Sequence, residues 1–217
     1  MVSRLEKALK DPESMKAKIL KAARRVFGEY GFHGATTRMI AKAADIDVST
    51  LFYHWGDKAD LYEAVVCEVN KDLKRKFVEI EDFIHNLPLA KRMEMAMDRI
   101  IDYLFENPEI SKVILSRYFV KITREEIDNN NDNDIPEYVS NIAYSMGLTK
   151  DRKKVPSVLK MQVMTIVNGV FTFMAGQETI RESLGVRQEA YIALVKDTIK
   201  FMMIPPFVDR LSTRQSK

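Results

Sequence analysis

Thr36, Thr37 and Arg38 form one short polar run and Val48, Ser49 and Thr50 another, with Tyr53, His54 and Lys58 following at helical intervals. Hydroxyls, a phenol, an imidazole, a guanidinium and an ammonium are groups that bond phosphate oxygens and base edges. Arg38 stands out because its planar fork can donate twice to a guanine edge. Other chemistry is poorly supplied. Cys67, His33, His54 and His85 do not fall at zinc spacing, and neither a glycine-rich phosphate loop nor a Gly-x-Ser-x-Gly elbow is present. DNNNDNDIPEY at 128–138 looks like a calcium loop, but Asn133 stands where glycine is needed and Val139 where the bidentate glutamate belongs, so a solvated loop is expected. No catalytic residue, metal or cofactor is expected, and an enzyme is set aside.

The elements that must position the first set are helical. Strand signals are nearly absent and helical periodicity runs almost throughout, so the expected class is all-α with about nine helices. Asp11-Pro12 reads as the cap and first position of an opening helix, and Gly31 as its stop. Short helices follow at 36–44 and, capped by Asp47, at 48–55, with a tight turn at Asp45-Ile46 between them. Neither is stable alone, so both must pack on the first helix. Ile40, Ala41 and Ala44 give one an inner face, and Leu51 and Trp55 the other. Ser49, Thr50, Tyr53 and His54 remain outward, while the spacing of Val48 also suits a core position. A helix that begins with small side chains can sit deep in a major groove. Lys58 lies in the first turn of a long helix, 58–84, where free N–H groups and the dipole attract an anion. A purely structural hairpin is the other reading of the pair.

ILKAARRVFGEYGFHGATTRMIAKAADIDVSTLFYHWGDKADLYEAV, residues 19–65, resembles the DNA-binding domain of the tetracycline-repressor-like (TetR) transcriptional regulators. The shared features are the Ala-Ala-x-x-x-Phe helix, Gly31-Phe32, Thr36-Thr37, Ile40-Ala41, Thr50-Leu51 and the aromatic-His-aromatic-x-x-Lys-x-x-Leu run ending at Leu61. The resemblance implies that Thr37 and Lys58 hold phosphates and that Arg38, Val48, Ser49 and Thr50 lie at base edges. With Thr36, Tyr53 and His54 these make the expected DNA-contacting set. Three positions depart from the family pattern: Asp45 replaces a turn glycine and must tolerate a left-handed conformation, Phe52 replaces a tyrosine, and Trp55 a phenylalanine. The resemblance further implies a homodimer with a larger C-terminal domain for a small ligand.

The expected domains are therefore 1–57, a three-helix helix-turn-helix head, and 58–217, for ligand binding and dimerisation. Further helices are predicted at 89–106, from 108 to about 127, and at 137–146, 153–177 and 187–204, with Pro205-Pro206 closing the last and 209–217 a loose tail. Met95, Tyr103, Phe105, Tyr118, Phe119, Met164, Thr165, Asn168 and Phe171 form the expected ligand-binding set, although apolar groups at this spacing are core by default. Thr165 and Asn168 suit either a ligand or a bond across helices. Val163, Val167, Val170, Met174, Tyr191, Leu194, Val195 and Thr198 suit either internal packing or, as the resemblance favours, a four-helix C2 interface.

Residues 1–58 carry 11 Lys/Arg against 7 Asp/Glu and the remainder 23 against 24, which puts the positive excess in the head. The N-terminus has no apolar leader, and 155–175 is interrupted by Lys160, Gln162, Thr165, Asn168 and Thr172, so a cytoplasmic chain with no membrane span is expected. The reading is a DNA-binding regulator, a repressor released from a pseudo-palindromic double-stranded operator by a small apolar or amphipathic effector. The alternative is a DNA-binding structural or interaction factor without a ligand, favoured if residues 89–175 enclose no cavity.

Overall fold

The computed structural model describes residues 4–117, 137–146 and 148–215, with 137, 138 and 206–215 described by backbone alone. Among these there are eleven helices and no strand. In chain order they are α1 (Arg4–Lys10), α2 (Met15–Gly34), α3 (Thr37–Ala43), α4 (Val48–Trp55), α5 (Lys58–Ile84), α6 (Leu89–Glu106), α7 (Pro108–Arg117), α8 (Glu137–Ser145), α9 (Ser157–Ala175), α10 (Gln177–Leu184) and α11 (Gln188–Gln215). Packing parts the chain into two compact units, Met1–Asp72 with Pro108–Ile127, and Leu73–Asn107 with Asp128–Lys217.

In the first unit α2 is the hub, packed by α1, α3, α4 and α7. It begins at Met15 rather than Pro12 because Ser14, not Asp11, caps it: Ser14 Oγ accepts the Ala17 N–H at 3.2 Å, while Asp11 accepts the Glu13 N–H and closes the turn from α1. Gly31 breaks the helical geometry at φ 66° as expected, but one more turn follows to Gly34. Leu51, Trp55, Ile40, Ala41 and Ala44 are buried, so the inner faces of the short helices are those read from the sequence. Tyr62 of α5 packs edge-on against Phe27 at 5.1 Å, tying the start of the long helix to this unit.

Helices α2 and α7 approach closely at Gly28. Gly28 is buried, and a Cβ added there would lie 2.8 Å from Glu109 Cβ and 3.2 Å from its Cα. Beside it Arg24 bridges three helices, its Nε donating to Glu109 Oε1 at 3.0 Å and its Nη1 to Asp72 Oδ2 at 2.5 Å, with Glu68 Oε2 at 3.6 Å. Burial pushes the Glu68 carboxyl above its ordinary pKa, and the charge of Arg24 pulls partly against it.

In the second unit α9 is central, packed by α6, α8, α10 and α11. Its length and mean hydropathy of 1.4 would suffice to cross a bilayer, yet its Leu159, Val163, Val170, Phe171 and Met174 are buried against these neighbours. Lys196 and Lys200 of α11 each pair with α6, at 2.6 Å to Asp102 and to Asp98.

Three expectations need correction, and one pair of alternatives is narrowed. α1 was missed because its seven residues carry a weak local signal and are held by tertiary contacts. α10 occupies the gap left between the expected helices 153–177 and 187–204; none of its residues is buried, so it has no apolar face to read, although Gly185 at φ 64° is the left-handed stop that marks its end. α11 continues through Pro205-Pro206 to Gln215, so the backbone of the expected loose tail is helical; proline's fixed φ is itself helical, although each of the two lies in the helix interior and lacks the N–H for an i→i−4 bond. Val163, Val167, Val170, Met174, Tyr191 and Val195 are buried within the chain itself. The helix expected to reach 127 is described to Arg117, and the loop at 128–136 lies outside the described residues.

Gly28→Ala should destabilise the protein by about 1–3 kcal/mol in denaturant unfolding, because overpacking against Glu109 outweighs the gain of about 1 kcal/mol in helix propensity.

Candidate functional site

The head is built by three local devices. Thr36 caps α3, its Oγ1 accepting the Met39 N–H at 3.2 Å. The turn then needs one residue with positive φ, and Asp45 adopts it at 54°, as its replacement of glycine required. Asp47 caps α4, accepting the Thr50 N–H at Oδ1 over 2.8 Å. It also accepts the hydroxyl of Ser49 at Oδ1 and that of Thr50 at Oδ2, the latter at 3.0 Å. The Ser49 bond first, then those from Thr50, hold the Asp47 carboxyl down at about 2.

The outward residues of this head are those expected. Thr36, Arg38 and Ser49 are exposed, Thr37, Val48, Thr50 and His54 half-buried, and Tyr53 is 83% exposed with its ring 5.1 Å from that of His54. Val48, ambiguous from spacing, is thus outside the fully buried core that Leu51 and Trp55 enter.

Lys58 does more than the sequence revealed. Its Nζ donates to the carbonyls of Phe32 at 2.9 Å and Ala35 at 3.0 Å, and sits 4.4 Å from the Phe32 ring centroid. Two of its three N–H groups therefore brace the corner between α2 and α3. The end of α4 is braced as well: Trp55 Nε1 donates to the Lys16 carbonyl at 3.1 Å, and Arg4 of α1 donates to the Trp55 carbonyl at 2.6 Å while pairing with Asp60 at 3.6 Å. Gly56, at φ 82°, leaves the space that Arg4 occupies.

The second unit contains a cavity of about 370 Å³. Phe77 and Ile80 of α5, Met97 and Ile100 of α6, Ile142 of α8, and Val167 and Phe171 of α9 line it. At a polar corner Arg92 Nη2 donates to Glu81 Oε1 at 3.2 Å and to the Ser145 carbonyl, and Ser145 Oγ donates to Glu81 Oε2. Arg92 Nε is buried with no hydrogen bond among the described residues.

Of the described members of the expected ligand-binding set, Phe171 alone lines this cavity. Met95 and Met164 are half-buried away from it, Tyr103 stacks under Lys76, and Phe105 packs edge-on against Tyr191 at 6.0 Å. Thr165 is exposed and bonds the Met161 carbonyl at 2.9 Å, while Asn168 is half-buried and its carbonyl accepts Thr172 at 2.8 Å. Tyr118 and Phe119 lie outside the described residues. The Met93, Met97, Ile100, Leu104 stripe, legible in the sequence as one face of the α6 helix but outside the expected ligand-binding set, faces the cavity instead. No group of three His, Cys, Asp or Glu residues able to hold a metal occurs among the described residues.

An exposed polar helix pair on a three-helix head, joined to a helical unit enclosing an apolar cavity, defines an all-α helix-turn-helix protein. Residues 19–65 match the family described as bacterial regulatory proteins, tetR family, so the chain carries a TetR-family N-terminal domain. Over 57 residues it is 39% identical to the transcriptional repressor AcnR of Corynebacterium glutamicum, covering 26% of this chain and 30% of AcnR. Over 75 residues it is 32% identical to the transcriptional regulator UidR of Escherichia coli K12, covering 35% and 38%. The match spans about a third of the length of these curated relatives. The fold extends further: AibR, solved with isovaleryl coenzyme A and operator DNA, superposes at a TM-score of 0.58 with 16% identity over 88% of this chain and 99% of that one.

Proposed function

We propose that this chain is a cytoplasmic DNA-binding transcriptional regulator, a repressor that binds a pseudo-palindromic operator as a homodimer and is released by a small effector. The observation that carries the reading is the exposed first turn of α4, held by Asp47 and flanked by Arg38 within a TetR-family domain. Thr36, Thr37, Tyr53, His54 and the third N–H of Lys58 meet phosphates, while Arg38, Val48, Ser49 and Thr50 reach base edges. AcnR is named as a repressor, and AibR was solved with both an operator and an acyl thioester.

The effector occupies the cavity of the second unit, with an apolar body along Met97, Ile100 and Phe171 and an acceptor group at Arg92 Nε. The cavity's presence favours this reading over a factor without a ligand. Its walls come from the second half of α5 and from α6, and the chain continues from these into the first half of α5 and into α7, both part of the head unit. An effector that binds more tightly when those walls are spread shifts the head by that differential affinity. The homodimer uses the exposed apolar strips of α9 and α11, Val158 and Met161 on one and Leu194, Phe201 and Met202 on the other.

Fluorescence anisotropy against duplexes, including that upstream of its own reading frame, should show binding that weakens as salt rises, and no salt-sensitive binding to any duplex would refute the reading. Arg38→Ala should lose about 1–3 kcal/mol at the preferred operator and relax preference at one base pair; a uniform loss over all sequences would make Arg38 a phosphate contact only. Met97→Trp, which fills the cavity, should abolish co-purification of small molecules seen by native mass spectrometry while leaving operator binding in place. Phe201→Asp should yield monomers in sedimentation and lower operator affinity roughly a hundredfold by loss of paired binding.

A further inference from the structure

The hydroxyl groups of the head divide by where their protons go. Thr36 Oγ1 accepts a backbone N–H from Met39, so its own proton remains available to a phosphate oxygen. Ser49 and Thr50 are the reverse. A carboxylate can only accept, so each of these hydroxyls must give its proton to Asp47, Ser49 to Oδ1 and Thr50 to Oδ2. The carboxyl is held at about 2, so it is ionised near neutral pH and accepts both hydroxyl protons in this geometry.

What Ser49 and Thr50 offer outward is therefore lone pairs. Phosphate oxygens have no proton to give, so neither hydroxyl bonds a phosphate without abandoning Asp47, and the charge on Asp47 itself repels the backbone. In the major groove the donors are the amino groups of cytosine (N4) and adenine (N6), whereas guanine O6 and N7 and thymine O4 only accept. Nothing in the residue types alone distinguishes these cases, because a serine or threonine with a free proton can bond either kind of edge.

We propose that Asp47 is a specificity-determining residue: by holding both hydroxyl protons it makes the first turn of α4 an acceptor-only surface that selects cytosine or adenine over guanine or thymine on the strand it faces. The inference rests on the DNA-binding reading and deepens it. Asp47 acts through Ser49 and Thr50 and is a positioning residue, so its test must separate proton control from simple helix capping. Asn serves this purpose, since it caps a helix as well as Asp. Its amide keeps a single acceptor oxygen, which releases at least one hydroxyl proton.

Preferred duplexes are selected from a library with a randomised centre for the wild-type chain and for Ser49→Ala, Thr50→Val and Asp47→Asn, and affinities are measured by anisotropy. At the positions where Ser49→Ala or Thr50→Val alters preference, the wild type should select cytosine or adenine. Replacing that base with 2-pyrimidinone or nebularine, which lack the amino group, should weaken wild-type binding about tenfold. Asp47→Asn should bind amino-bearing and keto-bearing bases there within about threefold of one another, bind random-sequence duplex more tightly, and show a salt slope steeper by about one. Asp47→Ser, a second capping variant, should show the same loss of discrimination if Asp47→Asn proves unstable in thermal melting. Selection of guanine or thymine at those positions, indifference to loss of the amino group, or an Asp47→Asn variant with unchanged base preference would overturn the proposal and leave Asp47 a cap. A wild-type chain that binds no duplex would refute the DNA-binding reading itself, a failure visible before any base is compared.

Discussion

The absence of a side chain at Gly28 sets the architecture of the first unit. Because Glu109 of α7 sits where a Cβ would be, α7 lies against the backbone of α2 and becomes part of the same body as the short helices. Arg24, one turn earlier on the same face, then finds Glu109, Asp72 and Glu68 within reach. The compact unit that holds the three-helix head thus also includes α1, the first half of α5, and α7. The chain passes between this unit and the second at three junctions, within α5 after Asp72, at Asn107-Pro108 and after Ile127, and the first two adjoin helices that line the cavity.

The charge arrangement at that junction has a consequence for how firmly the unit is specified. One guanidinium faces three carboxylates in a mostly buried setting, and burial raises the Glu68 pKa even with Arg24 beside it. Such a cluster contributes little net stability, because desolvation offsets attraction. It does penalise alternatives: a register of α2 against α5 and α7 that moved Arg24 away would leave the carboxylates buried without a partner. The apolar contacts of Phe27 with Tyr62 hold the helices together, and the ionic cluster fixes which faces meet.

The helix-turn-helix was legible because its signals are local. Caps at Thr36 and Asp47, the left-handed residue Asp45 and the apolar pair Leu51 and Trp55 each act within a few residues, and each lies where its chemistry requires. The boundaries of α5 and α6 were legible for the same reason. What escaped reading depends on distant partners. α1 is a helix partly because Arg4 reaches the carbonyl of Trp55, 51 positions away. The cavity lining was misassigned because Met and aromatic residues on α6 and α9 occupy several faces, and only the positions of α5 and α8 decide which face encloses space. On α9 and α11 the valines and Tyr191 follow the internal-packing alternative and are buried, whereas Met161, Phe201 and Met202, which have the weaker periodicity, are exposed.

Lys58 shows how a local reading can be incomplete rather than wrong. Its position in the first turn of α5 suggested an anion site, and the structure adds two carbonyl acceptors, at Phe32 and Ala35, that belong to the corner where α2 hands over to α3. An ammonium has three N–H groups, so one is left for a phosphate while two hold the corner. A phosphate drawn to that third N–H would polarise the group and strengthen its grip on both carbonyls. The corner in turn sets where Thr36 and Thr37 begin α3 and hence where Arg38 stands. On the proposed function, backbone contact and the placement of α3 and α4 would be one linked event, and a head meeting a duplex out of register would lose both together.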